Sequence, residues 1–204
     1  AKEVSFEHYY KTLNMKILFS LSVLLFSYTS FSIAQEEKSN HLQFWESLEQ
    51  HCGKAYAGKV ITAPVPKDFQ QQDLVMHFLS CGEGQIRIPF VVGENRSRTW
   101  MFTLNENSIQ LKHDHRHEDG SPDDITMYGG TSPNTGFAKL QYFPADQETV
   151  DLIPYAAGNV WWVSITDSTF TYNLRRVSSD KPIRVEFDLT EEVEAPAAPW
   201  GWEN

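Results

Sequence analysis

The 204-residue sequence predicts an all-β chain: an antiparallel meander of about 8–10 short strands closing into a barrel, with a two-sheet sandwich as second choice and a short N-terminal helix. Three observations carry this prediction. Apolar residues recur with period two in segment after segment, separated by turn residues. A turn at Asp167-Ser168 pairs Ile165 with Phe170, Val163 with Tyr172 and Trp161 with Leu174, giving one wholly apolar face. A last segment sets Ile183, Val185, Phe187 and Leu189 against Arg184, Glu186 and Asp188, the pattern of a strand with one wet face. Consecutive antiparallel strands of this kind bury their faces and lose their edges by curling into a closed barrel.

In order along the chain, Leu42, Trp45 and Leu48 at helical spacing predict the helix over 41–51. Strands are predicted at 54–62, 74–80, 85–92, 96–104, 108–117, 124–128, 137–143, 160–166, 169–176 and 183–189. The barrel domain is placed at 35–190 and a Pro- and Trp-containing tail at 191–204. Proline restricts that tail to extended conformations. Trp200 and Trp202 are expected to staple it onto the barrel rather than to present aromatics to a partner.

Upstream of the domain, Lys16 precedes an apolar stretch over 17–31, then Ser32-Ile33-Ala34 and the polar run from Gln35. This reads as a signal peptide over 15–34 cleaved after Ala34, with 1–14 an upstream or non-native segment. Ser20, Ser22, Ser27, Thr29, Ser30 and Ser32 dilute the stretch and argue against a membrane anchor. No cysteine near the cleavage point offers a lipid anchor, so a secreted or periplasmic product is expected, without membrane insertion after signal removal.

The composition, 41% hydrophobic and 22% charged, excludes a disordered chain. Net charge is −10, and removing 1–34 leaves 14 basic against 25 acidic residues, or −11. With no basic run to offset this, nucleic acid and anionic membranes meet a field of the wrong sign. Cys52 and Cys81, an even pair in an exported chain, are expected to form a disulfide, with two buried thiols as the alternative. Closing a loop of about 30 residues would stabilise the fold by roughly 3.6 kcal/mol in the chain-entropy model.

Chemically able residues concentrate in one place. His113, His115 and His117 alternate with Asp114, Arg116 and Glu118, just after Ile109 and Leu111. Residues two apart on a strand share a face, so the three histidines should extend the inward side. A turn at Glu106-Asn107 pairs Leu104 with Ile109, Phe102 with Leu111, Trp100 with His113, Arg98 with His115 and Arg96 with His117. Trp100, Phe102, Ile109 and Leu111 would then form an apolar floor, and Arg96, Arg98 and the histidines a polar rim. That gradient suits a small ligand with an apolar body and an acidic end, because guanidinium forks match carboxylate or phosphate.

Two alternatives stand beside this reading. His113, His115, His117 and Glu118, with Glu94 or Asp119 as further carboxylates, can be read as zinc ligands of a metal-dependent hydrolase or a metal-binding protein. Against it, the outer two histidines lie about 13 Å apart at strand rise, and Arg96 and Arg98 place positive charge beside a cation. The other alternative is a structural or partner-binding secreted module using the tail and Trp162, and the alternating charges of 113–119 also have a plain reading as a solvated strand end and turn. No catalytic residue is assigned, no cofactor is required by the leading reading, and whether the chain is an enzyme stays open.

The layout of a Trp-bearing helix, a Gly-containing first strand (Gly53 to Gly58) and a meander resembles the calycin barrels, the lipocalin and fatty-acid-binding architecture. The lipocalin Gly-x-Trp signature is absent. Residues 45–200 also resemble a group of exported bacterial proteins of unknown function, through Cys-Gly-Lys-Ala-Tyr-Ala-Gly (52–58), His-Asp-His-Arg-His-Glu-Asp-Gly (113–120) and Met-Tyr-Gly-Gly (127–130). That resemblance implies export and brings no activity.

Overall fold

Helix α1 (Asn40–Glu49) turns His41, Phe44, Trp45 and Leu48 inward, and the meander begins beyond it at β1 (Ala55–Val60). The computed structural model describes residues 37–202 apart from 178 and 180, so the expected signal peptide lies outside the described residues. The remaining strands are β2 (Leu74–His77), β3 (Ser80–Gly82), β4 (Gln85–Val92), β5 (Asn95–Leu104) and β6 (Ile109–His115). These are followed by β7 (Tyr128–Thr131), β8 (Leu140–Pro144), β9 (Val160–Ile165), β10 (Thr169–Arg175) and β11 (Ile183–Val193). Sheet order is β7-β6-β5-β4-β2-β1-β11-β10-β9-β8, with β3 a short addition to β4. The antiparallel β1–β11 ladder joins the last strand to the first, giving a nearly closed ten-strand barrel.

Both expected hairpin registers are present: Leu104 pairs with Ile109 through to Arg98 with His115, and Ile165 with Phe170 through to Trp161 with Leu174. Cys52 and Cys81 form the disulfide, with Cα atoms 6.0 Å apart, tying the end of α1 to β3. Among the described residues no helix is long and apolar enough to cross a membrane.

Three expectations need correction. The strand predicted at 124–128 begins only at Tyr128, because Pro122 and the positive φ values of Gly120 (84°) and Met127 (55°) keep the preceding segment irregular. The strand predicted to end at 189 continues to Val193, where Ala55 pairs with Val193 and Lys54 bonds Glu192 at 2.8 Å, so the free tail starts later. A second helix, α2 (Gln147–Leu152), was not expected; the Asp146 side chain caps it by accepting from Thr149 N at 3.0 Å.

That helix closes the barrel where strand pairing stops, between β7 and β8. Thr149, fully buried, accepts a hydrogen bond from Gly129 N at 2.7 Å, and Asp146 N donates to Gly129 O at 3.0 Å. A Cβ on Gly130 would collide with Pro144 O, so Gly129-Gly130 is where two backbones must nearly touch. Lys112 bridges the seam from β6, its Nζ 2.7 Å from both Asp146 and Glu148. Burial opposes its charge, but these bonds outweigh that and hold its pKa above the usual lysine value.

One end of the barrel is shut by α1: His41 Nε2 donates to Glu106 O at 3.1 Å in the β5–β6 turn, and Asn40 Nδ2 donates to Gly136 O at 2.8 Å. Above α1 the interior is filled by aromatic rings, with Phe78, Phe102, Phe143, Phe170 and Phe187 fully buried. The strand ends carrying Arg98, His115, Tyr128 and Ile183 lie at the opposite end, because antiparallel neighbours alternate direction.

The tail does staple onto the barrel. Arg96 Nη1 donates to Ala198 O at 2.8 Å, and Trp200 N donates to Arg96 O at 3.2 Å. Trp202 lies between the guanidiniums of Arg87 and Arg116, 4.4 and 4.7 Å from its ring centroid, and its indole N–H donates to Asp114 Oδ2 at 2.8 Å.

Candidate functional site

The His-rich segment splits between two faces of β6, as strand alternation requires. Asp114 and Arg116 point outward and hold Trp202, whereas His113 and His115 point inward. There they line a cavity of about 120 Å³ at the end of the barrel opposite α1. Its walls also include Arg98 and Trp100 from β5, Tyr128 from β7 and Tyr172 from β10. Phe90 and Phe69 complete a stack of four rings with Trp100 and Tyr172. Phe69 to Phe90 is 6.0 Å, Phe90 to Trp100 4.9 Å and Trp100 to Tyr172 4.4 Å between centroids.

Polar groups in this lining are tied to one another. His113 Nδ1 donates to Tyr128 O at 3.0 Å, which leaves Nε2 to accept from the Tyr172 hydroxyl at 2.7 Å. His115 Nε2 is paired with the Tyr128 hydroxyl at 3.0 Å. Burial drives the His113 pKa down to about 3. Burial and then the Arg98 charge drive His115 down to about 4. Burial pushes Tyr128 up to about 12 and Tyr172 well above the usual phenol value. At neutral pH the two imidazoles are therefore neutral and the two phenols protonated. Arg98 supplies the formal charge of the lining, which contains no Asp or Glu. Its Nη1 is buried and has no hydrogen-bond partner among the described residues.

The predicted site residues fare unequally. Arg98, Trp100, His113 and His115 come together at the cavity. Phe102, Ile109 and Leu111 are inward but fully buried beneath it, so they belong to packed core rather than to a ligand-facing floor. Arg96 is engaged by the tail instead of the rim. His117 is exposed, because β6 ends at His115 and His117 N turns to donate to Ser121 O at 2.9 Å. Glu118 is exposed beside it, so His113, His115, His117 and Glu118 do not converge. Among the described residues no group of three or more His, Cys, Asp or Glu is placed to hold a metal ion.

Tyr172, Leu174 and Ile183 were legible as inward residues from their hairpin and strand alternation but were not assigned to the site. Tyr128 had a signal only as the neighbour of Gly129-Gly130. Phe69 had none, since it sits on a single 3-10 turn (Lys67–Phe69) inside the β1–β2 connection.

No protein-family model matches the chain and no curated protein matches it. Among solved structures it is similar to a redesigned beta barrel, mFAP1, bound to DFHBI. The two share 10% identity over 70% of this chain and 97% of that chain, with a TM-score of 0.32.

Proposed function

We propose that this chain is an exported binding barrel that takes a small organic anion into the end of the barrel opposite α1, with the acidic group on Arg98. The observation that carries the reading is the buried, unpartnered Nη1 of Arg98 in a lining without carboxylates. A buried donor left without a partner costs about 1–3 kcal/mol, a cost that a bound carboxylate would remove while gaining a charge-assisted bond. Tyr128 lines the same cavity as Arg98, and with the His115 proton on Nε2 its hydroxyl would accept from His115 at 3.0 Å and keep its own proton for the acidic group's second oxygen. The edges of the Phe90 and Trp100 rings, whose faces are taken up by the stack, offer an apolar wall for the ligand's body. Export is supported by the signal-like 15–34 segment and the disulfide.

Calorimetric titration of the chain with benzoate tests the reading. Saturable one-site binding that Arg98→Met weakens at least tenfold is expected; no binding at millimolar benzoate, or equal binding by the variant, would sink it.

A further inference from the structure

At about 120 Å³ the cavity is smaller than the roughly 300 Å³ at which pockets for drug-sized ligands begin. A groove of about 490 Å³ lies against the β1–β2 connection, and Phe69 lines both it and the cavity. We propose that cavity and groove are two halves of one binding site divided by the Phe69 ring. Its ligand is then an elongated monoacid, with the carboxylate on Arg98 and an apolar tail along Val60, Val65 and Leu74. This extension rests on the anion-binding reading above.

The dividing wall is the part of the lining least held by the sheet. Phe69 is half-buried, lies on a three-residue 3-10 turn outside the strand ladders, and rests on Phe90 as a ring stack. The connection beyond it is made by Gln70, Gln71 and Gln72, with Gln71 at φ 60°, a left-handed conformation unfavourable for a residue with a side chain. Rotating Phe69 away from Phe90 would uncover the Phe90 face and open the cavity to the groove. The tail then leaves beside Val60, Val65 and Leu74 on one flank and the Gln70, Gln71 and Gln72 amides on the other, so a hydrocarbon chain fits along the apolar flank. Lys59, paired to Glu186 at 3.2 Å, is also in the groove lining.

The experiment compares benzoate with 4-hexylbenzoate by calorimetry on the wild-type chain, Phe69→Ala and Val65→Asp. Val65 lines the groove and not the cavity. The longer acid should bind the wild-type chain at least tenfold tighter than benzoate. Val65→Asp should erase that advantage and leave benzoate affinity unchanged, and Phe69→Ala should speed association of the longer acid. Benzoate binding with no length advantage, or with Val65→Asp weakening both acids alike, would overturn the two-part site and leave the anion reading standing. Failure of both acids to bind would overturn the two together.

Discussion

Arg98 stands directly across the β5–β6 ladder from His115, and no carboxylate among the described residues lies within salt-bridge distance of its guanidinium. A permanent cation is thus held against an imidazole that it helps to keep neutral. Such an arrangement adds nothing to folding, and this is why it reads as a recognition feature.

Replacing Arg98 by Met should therefore raise stability while removing anion binding. The expected gain is about 1 kcal/mol from deleting an unpartnered buried donor, seen as a rise of about 2–4 °C in Tm. A variant that is destabilised and still binds benzoate normally would mark Arg98 as structural.

Tyr172→Phe should act in the opposite direction. It removes the hydroxyl that donates to His113 Nε2 and leaves a buried acceptor unpaired, for about 1–3 kcal/mol of destabilisation by urea denaturation. A loss below about 0.5 kcal/mol would mean that the hydroxyl bond is not made.

Acid should unfold the chain through its histidines before its carboxylates. His113 and His115 titrate near 3 and 4 when folded, against 6.5 for an unperturbed histidine. Between those values the unfolded chain binds the extra protons, so their contribution is complete above about pH 6.5 and is lost as pH falls toward 4. His51 and His77, also depressed by burial, add to the same sign. Urea midpoints should fall from pH 7 to pH 5, with a shallower fall in His115→Gln; identical slopes would argue against neutral burial of His115.

At the seam, Gly130→Ala should cost about 2–3 kcal/mol, since a methyl group there collides with backbone that cannot move without opening β7 from β8. Hydrogen exchange would show the loss first in β7 and α2. Uniform exchange throughout the barrel would instead indicate that the seam is not a local weak point.

Trp202→Ala should lower stability by about 1–3 kcal/mol, because it removes two guanidinium contacts and one of the two hydrogen bonds to Oδ2 of the buried Asp114, which Arg116 Nε continues to bond. Benzoate affinity should be unchanged, since Trp202 is on the outside of the barrel. A matching loss of affinity would connect the tail to the cavity.

Period-two alternation was enough to determine the meander, the inward faces of two hairpins and the pairing of Arg98 with His115, because a one-residue slip would have buried charges. It also brought Trp100, His113 and His115 to one face. It overreached at His117, because alternation describes a side chain only while the backbone stays extended and β6 ends at His115, and at Arg96, which is within β5 but is taken by the tail. What tertiary structure alone decided was the use of each face and each gap. The tail took Asp114 and Arg96, α2 took Gly129, and Phe69 reached the cavity from a connection with no periodic signal. These are contacts between segments far apart in the chain, set by how the barrel closes rather than by local spacing, and so no local pattern encodes them.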